Sequence, residues 1–353
     1  MSKYNVWLKT ANKLEESIID DFRARVTASP DDLTEENAAK LPAEYFQFAH
    51  NEFKEAERAG YSNYSYWGST IRMFFRNKMG VVTFAILVVL MGFAFIQPIL
   101  PGQLDPGTIH DDLTAVPVRF YRNVPPQFFE GRFFLGTNAI GQDLWARMWA
   151  GTRNSLFIGF TVAGISMAFG IMFGMLWGYV RKLDFLFTEM YNIINNIPNT
   201  IILILAAMLF GPSIPVLVAA MSMWAWIGHA HNIRNLTLMF RDREFNLASR
   251  CLGTGVFRVI IRNLLPQMIS VIMLRMALAV PIAITGEVFL SYLGLGISQV
   301  TPTLGNLLEM ARPLMRAHPY QLLFPAAILS VISICFYLAG NAFSDSADPR
   351  NHV

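Results

Sequence analysis

The sequence holds 353 residues, of which 54% are hydrophobic and only 15% charged, well below the ~25% charged residues of ordinary soluble domains. With a mean hydropathy of +0.38, this excludes a soluble enzyme and sets the class as an all-α polytopic membrane protein. The formal net charge is +3, so no nucleic-acid partner is expected, and the two cysteines, Cys251 and Cys335, offer neither a disulfide framework nor a metal spacing.

Residues 1–78 are polar, with acidic pairs at Glu15-Glu16, Asp20-Asp21 and Glu35-Glu36. They read as a cytoplasmic region with a helix over about 6–25 and an aromatic patch over 61–67 at headgroup level. No apolar stretch there has the form of a cleavable signal peptide. Arg72, Arg76 and Lys78 flank the first uncharged apolar run, 79–100, and place its start in the cytoplasm. Residues 101–153 are then expected outside, as a small irregular extracellular insertion.

A second span is predicted over 155–180. Gly170, Gly174 and Gly178 recur there at four-residue spacing and form a strip for close helix packing. The third, 191–210, carries Asn195, Asn196, Pro198 and Asn199. Such groups at membrane depth must face protein or a water-filled cavity, so they serve as interhelical glue or line a pathway. The fourth, 214–229, ends near His229 and His231, a pair that reads more readily as interfacial histidines than as metal ligands.

Between 230 and 267 lies a long polar interval. Residues 229–266 hold six arginines in 38 positions, while 101–153 hold five in 53, a bias that puts the former inside. Residues 241–267 read as two short helices, with Asp242 capping the first, Gly253 and Gly255 stopping it, and Thr254 capping the second. Val256, Val259, Ile260 and Leu264 share one face of the second helix, and Arg258 and Arg262 another. From these residues alone the hairpin fits either a basic segment lying on anionic headgroups or a partner-docking element.

The fifth span, 268–291, contains Arg275, which either snorkels or faces an aqueous cavity. Glu287 lies near its outer end, before an outer stretch over 297–320. The sixth span, 322–339, returns the chain to a cytoplasmic tail, 341–353. Six spans place both termini inside.

No G-x-x-x-x-G-K-[ST] stretch is present, so the chain has no usual device for cradling a nucleotide. No hydrolytic triad or dyad emerges either. Glu287 is the one carboxylate expected within the spans, which favours a partner-driven transporter over an ion-coupled carrier.

Four stretches resemble one family. Residues 244–253 (EFNLASRCLG) followed by 262–266 (RNLLP) are similar to the "EAA" loop of ABC importer permeases, with Ala248 and Gly253 on the small positions and Pro266 on the terminal one. Residues 135–143 (LGTNAIGQD) with 151–155 (GTRNS) resemble the L-G-T-D-x-x-G-x-D and G-(A/T)-R-x-S runs of peptide-type permeases, with Asn138 in place of the usual Asp. Residues 287–296 (EVFLSYLGLG), continued by 302–305 (PTLG), and 345–350 (DSADPR) resemble two further signatures.

The chain is thus similar to a permease subunit of oligopeptide/dipeptide ABC importers, over about 61–353. The resemblance implies the six-helix type I importer permease fold in a bacterial cell membrane. It implies a non-catalytic translocation subunit beside a second homologous permease, two ATPase subunits that hold ATP and Mg, and an extracellular binding protein that delivers oligopeptide. The chain itself would carry no cofactor. Glu244, Leu247, Ala248, Ser249, Leu252, Gly253, Arg262 and Pro266 would form the ATPase-coupling element. Asn195, Asn196, Asn199, Arg275 and Glu287 are the candidates for the pathway. Another cargo such as nickel, an ion-driven carrier, and a docking protein without transport are the competing readings.

Overall fold

The structure is a computed structural model that describes residues 66–111, 120–128 and 132–347. The described residues fall within one compact unit, Ser65–Val353. The expected helix over 6–25, the acidic pairs, positions 61–65 of the aromatic patch and positions 348–350 of the tail signature lie outside the described residues.

Among the described residues the regular elements are helical. They are α1 (Tyr66–Arg76), α2 (Lys78–Ile96), α3 (Leu144–Tyr179), α4 (Arg181–Asn195), α5 (Asn199–Phe210) and α6 (Ile214–Arg241). Then come α7 (Glu244–Cys251), α8 (Val256–Val259), α9 (Leu265–Tyr292), α10 (Leu304–Ala311) and α11 (Tyr320–Ser346), with a π-helical turn over Ile260–Leu264 joining α8 to α9. Four segments are long and apolar enough to cross a bilayer: Lys78–Ile99, Leu144–Tyr179, Val256–Tyr292 and Tyr320–Ser346. The α4–α5 pair, bent by 73°, makes a fifth if it counts as one broken span. With 28 residues, α6 is long enough for a sixth, although its second half is polar.

Several helices differ from their expected extents, each for a local reason. Helix α3 starts at Leu144 rather than 155, because Asp143 caps it with Oδ2 accepting the Ala146 N–H at 2.8 Å. The irregular part of the insertion is shortened accordingly. The expected single helix over 191–210 is two, since Pro198 disfavours a helical Ile197 and Asn196 ends α4. Helix α6 runs past 229 to Arg241, because its polar residues find partners on α4. His231 stacks on Tyr191 with 4.0 Å between centroids, and Arg234 pairs with Asp184 at 2.6 Å. Helix α9 continues directly from the π turn at Leu265, with Pro266 in its first turn, where the proline has no N–H to donate to the turn before it. Helix α11 reaches Ser346, so the tail begins later than 341. Within the outer stretch, Thr303 and Asn306 form a capping box that starts α10.

Helices α3, α6, α9 and α11 enclose the main apolar core, in which Met167, Ile233, Leu264, Met268, Ile284 and Ile332 are almost wholly buried. A second cluster, including Ile158, Val162, Leu203, Leu217 and Leu290, holds α5 against α3, α6 and α9. The glycine strip sets the α3–α6 distance. A β-carbon on Gly174 would lie 2.5 Å from the Ala230 carbonyl oxygen, and one on Gly178 would lie 2.7 Å from the Thr237 Cβ. Only bare backbone allows that approach.

Candidate functional site

The polar interval resolves into a hairpin mounted between α6 and α9. Asp242 ends α6 and does not cap α7; Arg243 is the N-cap, without a side-chain bond. Gly255, not Thr254, precedes α8. The stop after α7 is a Schellman turn. The Gly253 N–H bonds the Arg250 carbonyl at 3.0 Å, the Thr254 N–H bonds the Ser249 carbonyl at 3.1 Å, and Gly253 takes φ +75°. A side chain there meets no neighbour but would have to adopt the left-handed conformation.

Two asparagines brace the hairpin. Asn246 is fully buried and donates to the Phe240 carbonyl at 2.8 Å, tying α7 back to α6. Asn263 donates to Ser249 Oγ at 2.8 Å, tying α7 to the π turn. Sequence reading passed over both. The signal was an amide at the one α7 position that faces the bundle. Val259, Ile260 and Leu264 are buried as expected, whereas Val256 is exposed. The outward face carries Phe245, Leu247, Ala248, Leu252, Phe257 and Ile261, with Leu252 85% exposed. Glu244, Gly253, Arg262 and Pro266 are exposed as well, and Ser249 is half-buried. The eight coupling candidates therefore share one braced element, and its outward apolar side chains, Leu252, Phe257 and Ile261 most of all, are exposed among the described residues.

Toward the opposite end of α3 the signature stretches 151–155, 287–296 and 302–305 meet. Glu287 is completely buried and accepts from Thr303 Oγ1 at 2.7 Å, Ser291 Oγ at 2.9 Å, Ser155 Oγ at 3.2 Å and the Gly305 N–H. Ser155 Oγ also accepts the Leu304 N–H at 3.0 Å, and Asn154 donates to the Pro302 carbonyl at 2.7 Å. Glu287 thus closes a polar node between α3, α9 and the start of α10. It lines none of the cavities described for this chain.

Nearby, Asn138 Oδ1 accepts the N–H groups of Ile140 and Gln142, while its Nδ2 donates to Gln142 Oε1 at 3.0 Å. An aspartate could not make that last bond, so the departure from the family pattern has a local use. Gln142 Oε1 also accepts from the buried Arg147 at 2.6 Å. Burial pushes the Asp143 carboxyl up to about 6, against the two backbone N–H groups of the helix start that favour its charged form.

The remaining pathway candidates separate. Asn195, Asn196 and Asn199 are exposed at the bend between α4 and α5, where Asn196 Nδ2 donates to the Asn192 carbonyl at 2.5 Å. Arg275 is partly buried, and its Nε has no hydrogen-bond partner. The structure does not bring it together with the asparagines in any one cavity among those described.

The family model described as "binding-protein-dependent transport system inner membrane component" matches residues 170–352, and "N-terminal TM domain of oligopeptide transport permease C" matches 65–126. The chain is 33% identical to the oligopeptide transport system permease protein AmiD of Streptococcus pneumoniae, over 88% of this chain and 99% of that one. It is 30% identical to the dipeptide transport system permease protein DppC of Bacillus subtilis, over 91% and 97%. It is 32% identical to the oligopeptide transport system permease protein OppC of Haemophilus influenzae, over 81% and 89%.

Proposed function

Since this chain belongs to the family of binding-protein-dependent transport system inner membrane components, we propose that it is one permease subunit of an ATP-driven oligopeptide importer. A second homologous permease completes the pathway. Two ATPase subunits hold ATP and Mg and dock from the cytoplasm, and an extracellular binding protein delivers the peptide. The chain lies in a bacterial cell membrane with both termini inside. The cargo reading rests on its relatives, which are oligopeptide and dipeptide transport permeases.

The observation that carries this reading is the braced, exposed hairpin. An apolar face of Leu247, Ala248, Leu252 and Phe257, left open beside Arg258 and Arg262, has the composition of a docking surface. Its stiffness is equally to the point. The Asn246 and Asn263 bonds and the Schellman turn fix α7, and the helical path from Val256 continues through the π turn to Tyr292. A displacement of α7 by a closing ATPase pair is therefore passed to α6 and α9 as rigid bodies instead of being absorbed by a loop. ATP binding favours the outward-open arrangement and hydrolysis resets it.

The test is reconstitution of the chain with its partner permease, with and without the ATPase subunits. Peptide uptake should require ATP and both ATPases. Uptake driven by an ion gradient in their absence would instead identify a secondary carrier.

A further inference from the structure

Where α3 ends, an open pocket of about 450 Å3 lies against the hairpin, lined in part by Tyr179, Arg181, Arg241, Arg250, Gly253 and Thr254. Three arginines line it, against one nearby carboxylate. Arg241 donates to the Gly178 carbonyl at 3.0 Å and lies 3.3 Å from Asp242, and Arg250 approaches the same Asp242 at 3.8 Å. Arg181 is exposed and makes no hydrogen bond or ion pair among the described residues. The cavity therefore keeps an excess of positive charge, with hydrogen-bond donors to spare.

Its depth follows from the sequence of α3. No charged residue stands between Arg153 and Arg181. That uncharged interval is roughly 40 Å long at about 1.5 Å per residue, close to the ~40–45 Å of a bilayer with its headgroups. Arg181 therefore sits in a headgroup layer, beside Tyr179 at the level where aromatic rings collect. The next turn, in α4, exposes Phe185 (77%) and Leu186 (56%), an apolar face against which acyl chains can lie. A free anion would have no use for that face.

We propose that this cavity binds the phosphate of an anionic phospholipid, held by Arg181, Arg241 and Arg250. Basic pockets between transmembrane helices suit such headgroups, and guanidinium groups suit phosphate oxygens. Because Gly253 and Thr254 form one wall, a bound lipid also fixes the hairpin's angle to α3. That consequence rests on the docking role proposed above; the binding itself does not.

Native mass spectrometry of the full chain in neutral detergent, titrated with phosphatidylglycerol or phosphatidylcholine, tests the assignment. Phosphatidylglycerol should bind in preference. Arg181→Gln should weaken it about fivefold, and Arg181→Gln/Arg250→Gln about 25-fold, at roughly the surface worth of each basic residue. Excess inorganic phosphate should leave the lipid bound. Equal retention of the two lipids, unchanged retention in Arg181→Gln, or displacement by inorganic phosphate would each overturn the proposal, the last by making the ligand a free anion. Should the double variant fail to fold, the exposed Arg181→Gln decides alone. Failure of the wild-type chain to dock ATPase subunits, with lipid binding intact, would count against the coupling role and leave this site standing.

Discussion

The Glu287 node and the hairpin after α6 are both built from signature residues, yet they treat their side chains in opposite ways. In the node, a carboxylate, three hydroxyls and two backbone N–H groups satisfy one another out of solvent. In the hairpin, the buried amide of Asn246 and the half-buried amide of Asn263 act as braces, and apolar and basic groups face outward. A closed network holds the chain's own elements in register, since breaking it strands buried donors. An open, stiff face has interactions still to make. The difference separates residues that hold the permease together from residues free to meet another subunit.

Four substitutions would break or sharpen that contrast, from the largest effect on stability to the smallest. Glu287→Ala removes the acceptor of three hydroxyls and a backbone N–H, and should cost about 3–5 kcal/mol, as for other broken buried polar networks. Thermal unfolding in detergent reads this as a large drop in Tm, smaller in Glu287→Gln, which keeps the shape. Gly174→Leu forces α3 away from Ala230 and Ile233 and should cost about 1–3 kcal/mol by overpacking, visible in the same melt. Gly253→Val meets no neighbour, but its backbone demand should cost about 1–2 kcal/mol. It should also reduce ATPase docking more than its effect on Tm would suggest. Leu252→Asp, at a site 85% exposed, should change stability by less than about 0.5 kcal/mol while abolishing ATPase stimulation. If Leu252→Asp destabilised as much as Glu287→Ala, the contrast between closed and open regions would collapse.

Much of the hairpin was legible in the sequence because its cues are local. A glycine after a short amphipathic helix, and a proline at the start of a long apolar run, each act within one turn. The class of the molecule was equally plain, since the apolar runs under α2, α9 and α11 need no tertiary information. The node was not legible, because its members are distant in the chain. Ser155 and Glu287 are 132 positions apart, and Leu304 is 149 from Ser155. A lone glutamate near the end of a span does not reveal in sequence the hydroxyls that enclose it. The full length of α6 escaped for a similar reason: His231 and Arg234 look like loop residues until Tyr191 and Asp184 meet them from α4. The bend at Pro198 was signalled by a residue whose effect is local, but 191–210 was read as one helix.

The most direct test of the central claim is co-purification of the ATPase subunits with the wild-type chain and with Leu252→Asp, at matched Tm. The account predicts stoichiometric recovery with the wild type and loss with the variant, since only the outward face has changed. Equal recovery with both, or no ATPase with either, would contradict the assignment of this hairpin as the docking element.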